Sequence, residues 1–286
     1  YADFKAYPIP DIERSLLDQL ALRLAGVGLD IVDLLFYHQP ERSVLIDAKK
    51  VLLDVEAIDA TGDITELGKK INKFPVKVMT ARMILEAIKR KCLEPIITIG
   101  AIMETPYGSI KRRSRHDDPP HFNSWEDLIE DESYRSDYLA ELHLYLVASL
   151  SNQKKLASIG IDPRGYHKAT EIRKQLVEVL IKLDYDVKDH NQNTKQEKEV
   201  LKCIAAGMIN HLYNYIGRGE YKNGEIRKLA KDSVINNLYP MIPNWIVGRP
   251  FNLVINKYDG RKQTIMLVNK ATAVDPMWFT EIAPHL

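Results

Sequence analysis

Four groups of residues carry side chains that could do chemistry. His116 and His121 flank Asp117 and Asp118, ligand types that can hold a divalent ion. Glu130, Asp131 and Glu132 place three carboxylates in a row, but no burial signal accompanies them that would shift a pKa for acid–base work. The first group is far more often a polar loop kept soluble, and the second reads as a solvated helix start. Gly62 and Gly68-Lys69 approach a phosphate-cradling loop, in which backbone amides wrap the phosphates and a hydroxyl reaches the metal. Their spacing is one residue too long, however, and Lys70 stands where Ser or Thr is required. No G-x-S-x-G elbow occurs, and neither Cys92 nor Cys203 has a His near it in sequence. The expectation is that the chain alone is not an enzyme, with no catalytic residue and no metal ligand assigned.

Binding chemistry is better represented. The run Lys111, Arg112, Arg113, Ser114 and Arg115 could neutralise phosphates through ammonium and guanidinium contacts, or it is a solvated loop. Further on, Arg249, Lys257, Arg261, Lys262 and Lys270 are interleaved with Phe251 and Tyr258, as a platform for single strands needs for backbone and base contacts. Edge strands also carry lysine to block aggregation. The candidate nucleic-acid-binding residues are Lys111, Arg112, Arg113, Arg249, Lys257, Arg261, Lys262 and Lys270. With 40 basic against 39 acidic residues and a net charge of +1, any such contact must come from local patches.

The elements that must hold these residues are mostly helices. Ile12, Leu16, Leu17, Leu20 and Leu24 recur at helical spacing and stop at Gly26 and Gly28. A second helix is expected from Ser43, as N-cap, to Ile58, and a short third from Ile64 to Phe74, closed by Pro75. Three helices separated by short turns describe a unit of the winged-helix kind. Helical patterning continues over Met79–Lys91 and Pro95–Met103, breaks into a long loop from Thr105 to Ser133, and resumes over Tyr134–Ser149, Tyr166–Leu183 and Gln196–Ile216. From Ile226 short β-rich runs follow, Trp245–Val247, Phe251–Ile255 and Thr264–Val268, with a hairpin signal at Asp259-Gly260. They suggest a small antiparallel barrel, of which the OB-fold is a frequent nucleic-acid-binding example.

A chain of 286 residues, 45% hydrophobic and 28% charged, is globular and long enough for two or three domains. Two cysteines are too few and too far apart in sequence for a disulfide framework or a zinc site of usual spacing, and both are expected to be reduced core residues. No apolar run is long enough to span a bilayer, and the start at Tyr1 shows neither signal peptide nor initiator Met. An intracellular protein, cytoplasmic or nuclear, is expected, cut from something longer.

Three stretches resemble the region that follows the second RecA-like motor domain in DEAH-box helicases. Pro10-Asp11-Ile12-Glu13-Arg14-Ser15 resembles the start of that family's winged helix, and Gly62-Asp63-Ile64-Thr65-Glu66-Leu67-Gly68 with Phe74-Pro75 resembles its G-x-[LI]-T-x-L-G signature. Ser136-Asp137-Tyr138-Leu139, Ile172-Arg173-Lys174-Gln175-Leu176 and Lys202 to Met208 are similar to helices of its ratchet domain. Pro243-Asn244-Trp245-Ile246-Val247 and Asp275-Pro276-Met277-Trp278-Phe279, with Ile282-Ala283-Pro284, resemble the opening and closing motifs of its OB-fold. The chain departs from the pattern twice. H-P-x-S appears as Lys231-Asp232-Ser233, and T-S-K aligns with Gln263-Thr264-Ile265, so that Arg261 or Lys262 would replace a lysine near RNA.

The resemblance implies a mainly α chain with a C-terminal small β-barrel: a winged helix over 1–76, a helical-bundle ratchet domain over 77–216 and an OB-fold-like barrel over 217–286. It implies a module that grips nucleic acid, RNA before DNA, next to upstream RecA-like motor domains. ATP and Mg2+ would bind in those motors and not here. The parent would be an ATP-dependent RNA helicase, with an activator protein docking on the OB-fold and no membrane contact. The alternative is a protein-interaction scaffold whose degenerate barrel no longer binds nucleic acid.

Overall fold

The computed structural model describes residues 17–113, 115–118, 122–129, 135–188, 190, 197–238, 240–256 and 261–284. The expectations placed on residues 1–16, Ser114, His121, residues 130–132, Lys257, Tyr258, Asp259 and Gly260 lie outside these. The chain divides into two compact units, Tyr1–Arg82 and Met83–Leu286.

In the first unit α1, Leu17–Ala25, buries Leu17, Ala21 and Leu22 and ends in a turn where Gly28 adopts φ +76°. Helix α2, Arg42–Asp54, buries Leu45, Ala48 and Leu52. Its N-cap is Glu41, without a side-chain cap, and not the expected Ser43, which lies in the first turn. The helix also stops short of Ile58: Glu56 takes a left-handed φ of +58°, and Ile58 instead forms a β-bridge with Ile64. Helix α3, Glu66–Ile71, therefore starts two residues later than the pattern suggested. The Thr65 hydroxyl accepts from the Gly68 amide at 2.9 Å and donates to the Glu56 carbonyl at 2.6 Å. A Cβ on Gly68 would lie 1.9 Å from the Ala57 carbonyl oxygen, so only glycine lets α3 lie against that backbone. Thr-x-x-Gly is thus a cap joined to a close approach. Helix α4, Val78–Arg90, runs from this unit into the next.

The second unit is built on α5, Leu93–Met103, in which every residue but Glu94 is buried. A helix apolar all round belongs in a core, and α6 (Asp137–Leu150), α7 (Pro163–Lys182) and α8 (Glu197–Gly207) pack around it. Helix α7 begins three residues before the expected Tyr166, because Asp162 caps the amides of Arg164 and Gly165 and Pro163 fits the first turn. The segment before α6 is tied into the core through Ile110, Trp125 and Ile129, which pack with Leu156, Ile161 and Tyr166. A Cβ on Gly160, whose φ is +81°, would meet the Trp125 amide nitrogen at 2.3 Å.

Helix α8 ends at Gly207 and does not reach Ile216, because Leu212–Gly217 forms strand β1. The apolar spacing through Met208 and Leu212 fits either period. The tyrosines at 213 and 215, good strand formers, join Tyr221 in the sheet core. Strands β2 (Glu220–Asn223), β3 (Glu225–Leu229), β4 (Trp245–Asn256) and β5 (Lys262–Ala273) follow. The two runs expected at 245–247 and 251–255 are one strand with an irregularity between Val247 and Arg249. A Cβ on Gly248, between them, would lie 2.4 Å from Val268 Cγ1. The strand order β1-β2-β3-β5-β4 returns to β1, so the ladder closes on itself, with β3 and β5 the one parallel pair among the described residues. A short helix α9, Phe279–Ile282, ends the described chain. Among the described residues no helix is long and apolar enough to cross a membrane.

Candidate nucleic-acid interface

The basic run after α5 is held by Lys111, which forms a β-bridge with Ile161. Its Nζ stands 3.8 Å from the centre of the Trp125 ring and 3.7 Å from Asp137 Oδ1, with only 9% of the side chain exposed. Arg112 lies over the Phe122 ring at 4.5 Å and pairs with Asp118. That arginine holds the Asp118 carboxyl below its ordinary range, with help from the Arg115 amide. Arg113 and Arg115 of the run, and His116 beside it, are exposed.

Lys111 and Lys270 meet at one buried cluster. Lys270, at a left-handed φ of +52°, pairs with Glu141 of α6, which is wholly buried. Glu141 also accepts from the Ser109 hydroxyl and from the Ile110 amide at 2.9 Å. Burial pushes the Glu141 carboxyl up, but the charges of Lys270 and Lys111 and the bonds from Lys270 and Ser109 outweigh it, and its pKa is lowered. One turn earlier, Asp137 accepts from the Ser233 hydroxyl at 2.8 Å, the Val234 amide at 2.9 Å and the Ala271 amide at 2.8 Å. Ser136 caps α6 through the Tyr138 amide and shares a 2.7 Å hydrogen bond with Thr272. Ser-Asp at the head of α6 thus fastens the helices to β5 and to the segment after β3. Charges buried this way are satisfied inside the protein.

Arg249 belongs to a second cluster. Its guanidinium packs over the turn at Gly108, where an added Cβ would come within 3.1 Å of Nη1. Burial lowers the His211 pKa to about 4, and the charges of Arg249 and Arg227 add to the effect. Arg227 donates to Asn252 at 2.8 Å and pairs with Glu225 at 2.7 Å. Arg261 and Lys262 are exposed at the start of β5. The strand register puts Phe251 opposite Leu267 and Leu253 opposite Ile265, and Leu267 beside Lys228. These side chains therefore share one face with Ile226, and Ile226, Phe251 and Leu253 are 50%, 45% and 40% exposed.

A groove of about 770 Å³ opens between the ends of α8 and β4, lined by Trp245, Trp278, Pro243, Pro276, Arg135 and Lys198. It combines two indoles, a surface on which bases can stack, with two cations balanced by the carboxylates of Glu197 and Asp275. Both tryptophans come from stretches whose resemblance was noted in the sequence, but neither was among the candidate residues. Nor were His211 and Arg227. No periodicity marks them, since they come together only when the strand ladder closes. The pairing of Asp137 with Ser233 had a signal in the Ser-Asp and Asp-Ser dipeptides, without a way to connect them.

In sequence the chain is similar to helicase-associated domains and to RNA helicases. Residues 50–76 match the model of the helicase associated domain (HA2), winged-helix, and residues 77–140 that of the helicase associated domain (HA2), ratchet-like. The probable ATP-dependent RNA helicase DHX35 of Pongo abelii is 24% identical over 288 residues, covering 97% of this chain and 37% of the relative. The Homo sapiens protein of the same name is 24% identical over 97% of this chain and 38% of its own length. The pre-mRNA-splicing factor ATP-dependent RNA helicase prp22 of Schizosaccharomyces pombe is 21% identical over 97% of this chain and 23% of its own. The chain therefore spans less than two fifths of the curated relatives it matches. It carries the winged-helix and ratchet-like helicase-associated domains and resembles, over nearly its whole length, a region of the DEAH-box RNA helicases.

Proposed function

We propose that the chain is the C-terminal module of a DEAH-box ATP-dependent RNA helicase and that it grips single-stranded RNA while motor domains outside it bind ATP and Mg2+. The observation that carries this is the succession of a winged-helix match, a ratchet-like match and a closed five-stranded ladder in one chain. In this reading the winged helix ends near residue 76 and the ratchet helices run to the end of α8. The ladder, with its single parallel pair, is a small barrel of the OB kind. Grip is assigned to the exposed cations Arg113, Arg261 and Lys262 and the half-buried Arg249, with stacking on Phe251, Trp245 and Trp278. Lys111, Arg112 and Lys270 hold the surface in shape. The parent works inside the cell, in the nucleus by analogy with the splicing-factor relative.

Fluorescence anisotropy with a labelled single-stranded RNA tests it. Binding is expected in the micromolar range at 50 mM salt and to weaken about 10-fold or more by 200 mM, because each neutralised phosphate releases counterions. The variant Arg249→Gln/Arg261→Gln/Lys262→Gln should lose most of that affinity. Absent or salt-insensitive binding overturns the grip. One observation favours the scaffold alternative: the outward face of β3, β4 and β5 is mainly aliphatic, which suits a protein partner such as an activator better than a base. Nuclease-resistant capture of such a partner by a chain without RNA affinity would establish it.

A further inference from the structure

Cys92 and Cys203, 111 residues apart in sequence, place their sulfurs 3.4 Å from each other. Cys92 is the N-cap of α5 and has no side-chain cap bond, and Cys203 lies in the middle of α8. Both are wholly buried. The residue before Cys92, Lys91, holds a left-handed φ of +58°, so the backbone turns sharply to aim Cys92 at α8. The seam continues in ion pairs. Arg90 binds Glu86 at 2.7 Å, Glu199 at 2.8 Å and Glu281 at 2.9 Å, and Lys202 binds Glu281 at 2.7 Å. Two thiols are therefore held together by elements that are themselves clamped.

We propose that Cys92 and Cys203 are an oxidation site that closes to an internal disulfide when the protein meets a hydroperoxide. A disulfide needs the sulfurs about 2.05 Å apart, so the two sulfurs have to close by about 1.4 Å from where they stand. In the first step the sulfur of one thiol attacks the O–O bond of hydrogen peroxide, forming a sulfenic acid and releasing water once its proton is passed on. In the second, the other sulfur attacks the sulfenic sulfur, the S–S bond forms and a second water leaves. Two thiols are oxidised and one peroxide is reduced to two waters. Burial pushes the Cys203 thiol up, with its bond to Cys92 adding to the effect. The pair therefore stays reduced under ordinary conditions and reacts only when α8 opens locally to admit the oxidant. The closed bond ties α8 to the junction of α4 and α5.

The full chain, purified reduced and treated with hydrogen peroxide in native buffer, is then denatured, alkylated and weighed intact. The expected product has no alkylated cysteine, a mass about 2 Da below the reduced chain and a Cys92–Cys203 cross-linked peptide after digestion. Its Tm should rise by several degrees over the reduced chain, as closure of a long loop implies. Cys92→Ala and Cys203→Ala should each give neither the mass change nor the Tm rise. The proposal fails if both thiols of the treated wild-type chain still alkylate. It fails equally if they turn into separate sulfinic acids or pair only between molecules.

Discussion

Glu141 shows how a single residue can organise its surroundings. Its carboxylate is wholly buried among Lys270, Ser109 and the Ile110 amide. Glu141→Ala leaves the Lys270 ammonium facing an uncompensated interior, and a loss of about 3–5 kcal/mol is expected in urea unfolding. A loss below about 1 kcal/mol would show that water already serves Lys270. Because the folded pKa of Glu141 lies below its ordinary 4.5, its contribution is present above that pH and fades as pH falls through the folded value. His211 works in another window. Its folded pKa of about 4, against 6.5 unfolded, means that between these values the unfolded chain holds a proton the folded chain does not. Stability should therefore fall by about 3 kcal/mol as pH drops from 6.5 to 4, and His211→Gln should flatten that slope. If a phosphate neutralises Arg249, the His211 pKa must rise, and a proton NMR titration with and without single-stranded RNA measures it.

At the scale of elements, the helices whose apolar spacing is strong were readable from sequence, and their ends were not. Ser43 is a better cap by type than Glu41, yet α2 begins before it; what fixed the boundary was the tertiary packing of Leu45, Ala48 and Leu52, not the cap. The turn from α8 into β1 was hidden because residues 208 and 212 satisfy a helical period as well as the start of a strand. Glycines carried the most reliable signal. Gly68→Ala should destabilise the first unit by about 3 kcal/mol or more, since its Cβ would overlap the Ala57 carbonyl. Gly160→Ala should loosen the segment around Trp125, read as faster amide exchange there and a shift in tryptophan emission. Of the candidate cations, types and sequence positions were readable, but their fates were not. Lys111 and Lys270 were indistinguishable in sequence from Lys262, and only the fold turns the first two inward.

At the scale of the whole molecule, the near-zero net charge goes with described cations paired to carboxylates, among them Arg90, Lys111, Arg112, Arg227 and Lys270. Only a handful of cations are assigned to the grip, so the salt slope of RNA binding should be shallow. Roughly three counterions released corresponds to a logarithmic slope near −2 for a single strand. A slope steeper than about −5 would mean that cations assigned here to internal pairs turn outward on binding.

The fastening of α6 to β5 has a mechanical consequence. Asp137 bonds Ser233, Val234 and Ala271 at once, while Ser136 holds Thr272. A pull along β5 would load the Ala271 and Thr272 bonds together, as rivets share a shear force, while the Ser233 and Val234 bonds hold the segment after β3 to the same carboxylate. A tug delivered to a strand held by the sheet would thus be handed to the head of α6 without slack.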